Sequence, residues 1–232
     1  MESTPHFREE NADAIHLPVI ISGLSGGGKS TVAAEVEKRP EVRSVVYDGR
    51  LTTRALRPGE VEGKDGIFGV PQDDFERQLG DMFFDYKKYG ERYGFLRSRL
   101  LDCLARGNTF IIGGEPDTAS DMKRRINAPE EIELYPRLKA VTVYVQRPLQ
   151  EIILGLTERD ADPNEKLKRI AHVASKFKDV RDDPPEDVDH YILNGKERLV
   201  EAVESMIHII STERTKQLRD IFGNSFRVPA NA

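Results

Sequence analysis

The run Gly23-Leu24-Ser25-Gly26-Gly27-Gly28-Lys29-Ser30-Thr31 sets glycines, a lysine and hydroxyls at the spacing G-x-x-x-x-G-K-[ST]. That spacing, the P-loop or Walker A pattern, is a phosphate cradle. Residues without Cβ let successive backbone N–H groups turn inward around an anion, and the helix that follows adds positive potential at its N-terminus. On this reading Gly23, Ser25, Gly26, Gly27, Gly28 and Thr31 surround the phosphates of a nucleoside triphosphate. Lys29 reaches the β- and γ-phosphates, and the Ser30 hydroxyl is the protein's ligand to Mg²⁺. A second cluster, Leu51-Thr52-Thr53-Arg54-Ala55-Leu56-Arg57-Pro58-Gly59-Glu60, places two arginines three apart beside hydroxyls. Each guanidinium offers a planar fork of donors suited to a dianionic phosphate. Standing alone, such a run reads equally well as an exposed charged loop.

These groups need elements to hold them. Leu17-Pro18-Val19-Ile20-Ile21-Ser22 is a short apolar run suited to a strand covered on both faces. It leads through the glycines into a helix expected over Lys29 to Arg39 and stopped by Pro40. Val45-Val46-Tyr47, Thr109-Phe110-Ile111-Ile112, Ala140–Val145 and His190-Tyr191-Ile192-Leu193 are further strand candidates. Leu96, Leu100, Leu101 and Leu104 share one face of a helix that ends near Gly107. Asp162-Pro163-Asn164-Glu165 starts another helix, and Asn194 is placed to cap a last one whose buried side carries Leu199, Val203, Met206 and Ile210. Alternating strands and helices give an α/β fold, a parallel sheet between two helical layers. Between Asp48 and Phe95 the pattern breaks into glycines and charges. This reads as an inserted, mobile acceptor-binding subdomain with one short helix near Asp73–Leu79, capped by Asp73. The expected organisation is a polar tail over 1–16, a domain over 17–210 (core 17–47 and 96–210, insert 48–95) and an unassigned tail over 211–232.

Lys+Arg 35 against Asp+Glu 40 gives a net charge of −5, so there is no bulk basic excess to hold a nucleic-acid backbone. Tyr86, Tyr89 and Tyr93, interleaved with Lys87, Lys88 and Arg92, fit a small phosphorylated acceptor better than a nucleic acid. No apolar run approaches the roughly 18–20 residues of a membrane span, and Met1–Asn11 is polar, unlike a secretory signal. A cytoplasmic monomer or homodimer is expected. Scattered histidines argue against a zinc site, and the single cysteine, Cys103, reads as a buried structural thiol. Asp182-Asp183-Pro184-Pro185-Glu186-Asp187 reads as a solvated loop rather than a metal cluster.

Taken together, the residues resemble the guanylate kinase family. The matches are Gly23–Thr31, Thr52-Thr53-Arg54-x-x-Arg57-x-Gly59-Glu60, Gly63-Lys64-Asp65 with Phe68, Asp73-Asp74-Phe75 and Tyr93-Gly94, and they extend over about residues 17 to 210. The resemblance implies phosphoryl transfer from ATP, with Mg²⁺, to a small phosphorylated acceptor, GMP or dGMP first. It implies that Arg54, Arg57 and Tyr93 hold the acceptor phosphate. Arg159 and Arg169, in a lid over about 155–172, close on the transferring group, and Asn194 lies near the donor base.

Departures gather where a base is read. Arg50 stands in place of a serine, Gly66 of a tyrosine, the shorter Asp85 of a glutamate, Phe95 of a hydroxyl residue, and Gly113-Gly114-Glu115 of an Asp-x-Asp. Asp85 and Glu115 remain the expected base-reading carboxylates, and Arg50 adds a cation that suits a second phosphate. Two rival readings follow. One is a kinase for ribose 1,5-bisphosphate, and the other is a catalytically inactive binding module of the same fold.

Overall fold

A strand with covered faces on both sides can carry an unbroken apolar run, and all of Leu17–Ser22 is buried. The computed structural model describes residues 15–56, 60–88, 90–107, 109–128, 138–159, 163–182 and 187–223. In chain order the elements are β1 (Leu17–Ser22), α1 (Lys29–Glu37), β2 (Ser44–Val46), β3 (Arg50–Thr52), α2 (Gln72–Arg77), β4 (Met82–Lys88), β5 (Glu91–Leu96) and α3 (Arg97–Arg106). There follow β6 (Thr109–Gly113), α4 (Pro116–Ile126), β7 (Val141–Gln146), α5 (Leu149–Arg159), α6 (Pro163–Asp182), β8 (His190–Leu193) and α7 (Leu199–Phe222).

Five strands form a parallel sheet in the order β2-β6-β1-β7-β8. β1 lies at its centre, so the loop leaving its C-terminal end opens at the middle of the sheet edge, where α/β folds bind ligands. Alternation along β1 sends Leu17, Val19 and Ile21 into a core with Val32, Val36, Met206 and Ile210 of α1 and α7. Ile20 points the other way, to Leu100, Cys103, Met122 and Ile126 of α3 and α4. The three-layer α/β expectation holds.

The insert is more ordered than its glycine-rich sequence implies. It contains a three-stranded antiparallel sheet, β3-β5-β4, registered as Arg50↔Phe95, Thr52↔Tyr93 and Tyr86↔Tyr93. Leu51, Phe75, Met82 and Leu96 form a core of its own beneath α2. One residue ties the insert's two ends together. The Tyr47 hydroxyl donates toward Gly49 O at 2.8 Å and Leu96 O at 2.9 Å, one carbonyl where the chain enters the insert and one where it leaves.

Several expectations are corrected. α1 ends at Glu37, and β2 ends at Val46, freeing Tyr47 for that junction. Pro71, not Asp73, occupies the N-cap of α2, since proline already fixes φ there. Leu101 is 48 % exposed and Cys103 takes its buried place, because the burial stripe of α3 follows positions 100, 103 and 104. Burial pushes the Cys103 thiol pKa up, as befits a structural cysteine. Asn194 does not cap α7, whose N-cap is Arg198. α4 had no counterpart in the pattern. It starts from a capping box between Glu115 and Thr118 with Pro116 in its first turn. The unassigned tail is α7 as far as Phe222, with Leu218 only 2 % exposed. At the other end Ile15 is buried, while residues 1–14, Tyr89 and most of the Asp182–Asp187 run lie outside the described residues. No helix among the described residues is long and apolar enough to cross a membrane.

Since α7 continues the core past residue 210, Leu218→Ala removes packed methyl groups. Equilibrium denaturation should show a loss of about 2–5 kcal/mol, where a frayed tail would show none.

Candidate active site at the glycine loop

The loop between β1 and α1 is built from main chain. Gly26 and Gly28 take φ of 82° and 88°, left-handed values that L side chains rarely adopt. Three contacts brace it from outside. Asn194 Nδ2 donates to Gly27 O at 3.0 Å while its Oδ1 accepts from Gly195 N, and a Cβ on Gly28 would run into that amide nitrogen. Arg147 Nη1 donates to Gly26 O at 3.1 Å, and its Nε is held by Glu151. A Cβ on Gly23 would lie 2.6 Å from Val145 O, so β7 packs directly on the loop. Asn194 thus fixes the loop from behind.

Lys29 bends back over this loop, donating to Gly23 O at 2.5 Å and Leu24 O at 3.0 Å. Burial pulls its pKa down from 10.5 to about 8. Glu115 opposes that shift, whereas the charges of Lys88, Arg169 and Arg50 add to it. Burial is thus the leading cause, with charges of both signs acting on the ammonium. Arg169 comes from α6, and its Nη2 donates to Ser25 Oγ at 2.7 Å, so this helix reaches the loop. The hydroxyl-bearing Ser30 and Thr31 are exposed at the start of α1.

Opposite lies one face of the insert sheet. Registry places Arg50, Thr52, Tyr86, Lys88, Tyr93 and Phe95 on it. Tyr86 stacks on Tyr93 with centroids 5.0 Å apart and planes 10° from parallel. Burial, then Glu115 and Tyr93, push the Tyr86 hydroxyl pKa up, so it stays a neutral donor. Arg54 is 8 % exposed and held by Glu60 through two 2.9 Å bonds, with its guanidinium over the Phe68 ring at 5.0 Å. Glu60 takes the Nη1 and Nη2 side, and the buried Nε has no hydrogen-bond partner among the described residues. Arg50 Nη2 donates to Asp65 O at 2.8 Å, and its buried Nε likewise has no partner among the described residues. Gly66 makes room for this, since a Cβ there would lie 2.7 Å from Arg50 O.

The structure does not bring Asp85 to that face. The side chain alternates with Tyr86 onto the α2 side and pairs with Arg92 at 3.1 Å. There it lines a cavity of about 320 Å³ with Gln72, Lys87 and Gly90. The expectation that Asp85 reads an acceptor base beside Arg50 and Tyr93 is corrected accordingly. Glu115, in contrast, faces the cleft at the head of α4, where it meets Lys88. Arg57 and the Arg159 side chain lie outside the described residues.

Sequence reasoning did not assign Asp117, Arg147 or His172 to the site, and it placed Lys88 only within a cluster suited to a phosphorylated acceptor, with no role of its own. For Lys88 the signal was available: it lies two residues beyond Tyr86 on one strand and so shares its face. His172 is on α6, and burial, followed by the Lys88 charge, lowers its pKa. Among the described residues no group of three histidine, cysteine or carboxylate side chains is placed to cage a metal.

A central-strand glycine loop with its lysine, an inserted sheet of cations and a lid arginine on the loop define a P-loop phosphotransferase of the nucleotide-kinase type. Comparison with known proteins narrows the class. The chain is 31 % identical over 204 residues to a guanylate kinase of Thermus thermophilus, spanning 86 % of this chain and 83 % of that one. It is 30 % identical over 207 residues to a guanylate kinase of Thermotoga maritima, spanning 87 % and 89 %. The crystal structure of guanylate kinase from Anaplasma phagocytophilum superposes with a TM-score of 0.59 at 22 % identity, covering 93 % of this chain and 97 % of that one, and supports the fold. No family model matches the chain. The protein belongs to the guanylate kinase family.

A triphosphate beside Lys29 favours its charged form and returns its pKa toward 10.5. Calorimetric titration of ATP at pH 8.5 in two buffers of different ionisation enthalpy should therefore show proton uptake on binding. In Lys29→Met that uptake should be absent. Binding to the parent protein without uptake would contradict the assignment.

Proposed function

We propose that the protein transfers the γ-phosphoryl group of ATP to GMP, releasing ADP and GDP. The observation that carries this reading is the left-handed glycine loop with Lys29 folded over it, met by Arg169 Nη2 on Ser25 Oγ at 2.7 Å, with Arg50 and Lys88 of the insert bearing on the same ammonium. Such a focus serves an in-line transfer between two phosphates, where positioning and electrostatics supply most of the catalysis.

Placement supports the roles of the described residues, and the family resemblance supplies those of Arg57 and Arg159. Backbone amides around Gly26 to Thr31 hold the donor polyphosphate, and Lys29 follows charge between the β- and γ-phosphates. One exposed hydroxyl at Ser30 and one nearby carboxylate at Glu115 fit Mg²⁺ carried by nucleotide and water rather than by a protein cage. A magnesium ion held there would supply charge neutralisation for the donor polyphosphate. Arg54 offers the acceptor phosphate its Nε edge, its other side being fixed by Glu60. Arg57 and Tyr93 complete the grip, and Arg159 joins Arg169 over the transferring group. Arg50 and Glu115 are left to meet the base, Asp85 being turned away. A phosphate oxygen of GMP attacks the γ-phosphorus and the bond to the β–γ bridging oxygen breaks. No general base is required, because a phosphate monoester is largely dianionic at neutral pH, with a second pKa near about 6.

Lys29→Met should retain its fold by circular dichroism and lose essentially all GDP formation in a coupled assay. Turnover equal to the parent would overturn the reading. Arg54→Lys keeps the charge but loses the fork, so the KM for GMP should rise about tenfold or more while that for ATP holds. An acceptor panel of GMP, dGMP, AMP and ribose 1,5-bisphosphate tests the choice of acceptor directly.

A further inference from the structure

Lys88 is the last residue of β4, and its ammonium leaves the insert to reach the core. There it forms an ion pair with Glu115 and donates to both carboxylate oxygens of Asp117, at 3.1 and 3.2 Å. Its side chain is only 12 % exposed, against 44 % for Asp117. The strand register puts Lys88 on the face of the stacked Tyr86 and Tyr93, and its charge bears on both Lys29 and His172 of the lid helix. Lys88 is therefore a cation on the acceptor-bearing sheet, within the field of the donor lysine, and bridges to the far wall of the cleft.

We propose that Lys88 is a direct ligand of the acceptor's phosphate group, stored between substrates on Glu115 and Asp117. The proposal rests on the reading of the protein as a GMP kinase. An arriving phosphate dianion offers the ammonium more charge than either carboxylate, in a site already crowded with positive groups. Release from the store costs little. Glu115 keeps its capping-box bond to the first turn of α4, and Asp117 is substantially solvated. The exchange gives the insert a second attachment for the acceptor besides the Arg54 clamp. It also makes recognition depend on the phosphate rather than on the nucleoside.

The test compares GMP with guanosine, which differ by that group alone, binding to parent, Lys88→Met and Lys88→Arg proteins in calorimetric or NMR titrations. Lys88→Met should weaken GMP binding by about 10- to 100-fold, the range of a lost hydrogen bond to a charged group, and leave guanosine and ATP within about threefold. Lys88→Arg should recover part of the loss, and thermal melts of both variants check the fold. Equal weakening of GMP and guanosine would mark Lys88 as a purely structural tie and overturn the proposal, as would unchanged GMP binding in Lys88→Met. A parent protein that transfers no phosphate to GMP would sink the acceptor reading and this inference with it. A parent that phosphorylates GMP beside an unaffected Lys88→Met sinks the inference alone.

Discussion

The site depends on a stretch of main chain held open in a conformation that few residues tolerate. Gly26 and Gly28 turn the backbone left-handed so that its amides face inward. The turn survives because Asn194, Arg147 and the Val145 carbonyl support its back. All three supports come from the C-terminal ends of β7 and β8 or just beyond them, so sheet order and loop geometry are a single arrangement. A loop with the same glycines but no such backing would lose its concavity to conformational entropy.

Around the cradle, charge is deliberately unbalanced. Glu115 and Asp117 are the carboxylates that bear on the cleft cations, against Lys29, Arg50, Lys88 and Arg169. Burial lowers the Lys29 pKa, whereas Glu115 and Asp117 raise that of Lys88 against its own burial. Such a cleft suits polyanionic substrates, so binding energy and catalytic charge are drawn from the same source. The Glu60–Arg54 pair works differently. It fixes a guanidinium in place at the cost of half its donors, and orientation is what a fork needs.

Legibility in the sequence followed the physics of each element. β1 and β6 to β8 were readable because strands covered on both faces carry continuous apolar runs, and the glycine loop because its chemistry demands fixed residue types. The insert strands were not. A small sheet with one face packed and the other left for ligands has no long apolar run, and Arg50, Thr52 and Lys88 occupy positions a core strand would give to valine. Missing those strands had a further consequence. Without the register, Asp85 stood beside Tyr86 in sequence, whereas the pleat sends the two side chains to opposite faces. Family likeness carried the class, and strand parity decided which side chains could meet.

The Tyr47 hydroxyl joins the carbonyls of Gly49 and Leu96, and so clasps the two strands of chain by which the insert leaves and rejoins the core. That clasp is one tie of several: Arg125 Nε donates to Phe83 O at 3.0 Å and Lys88 pairs with Glu115, so the near and outer ends of β4 are both moored to the core, and a phosphate that draws Lys88 away unfastens the outer mooring alone.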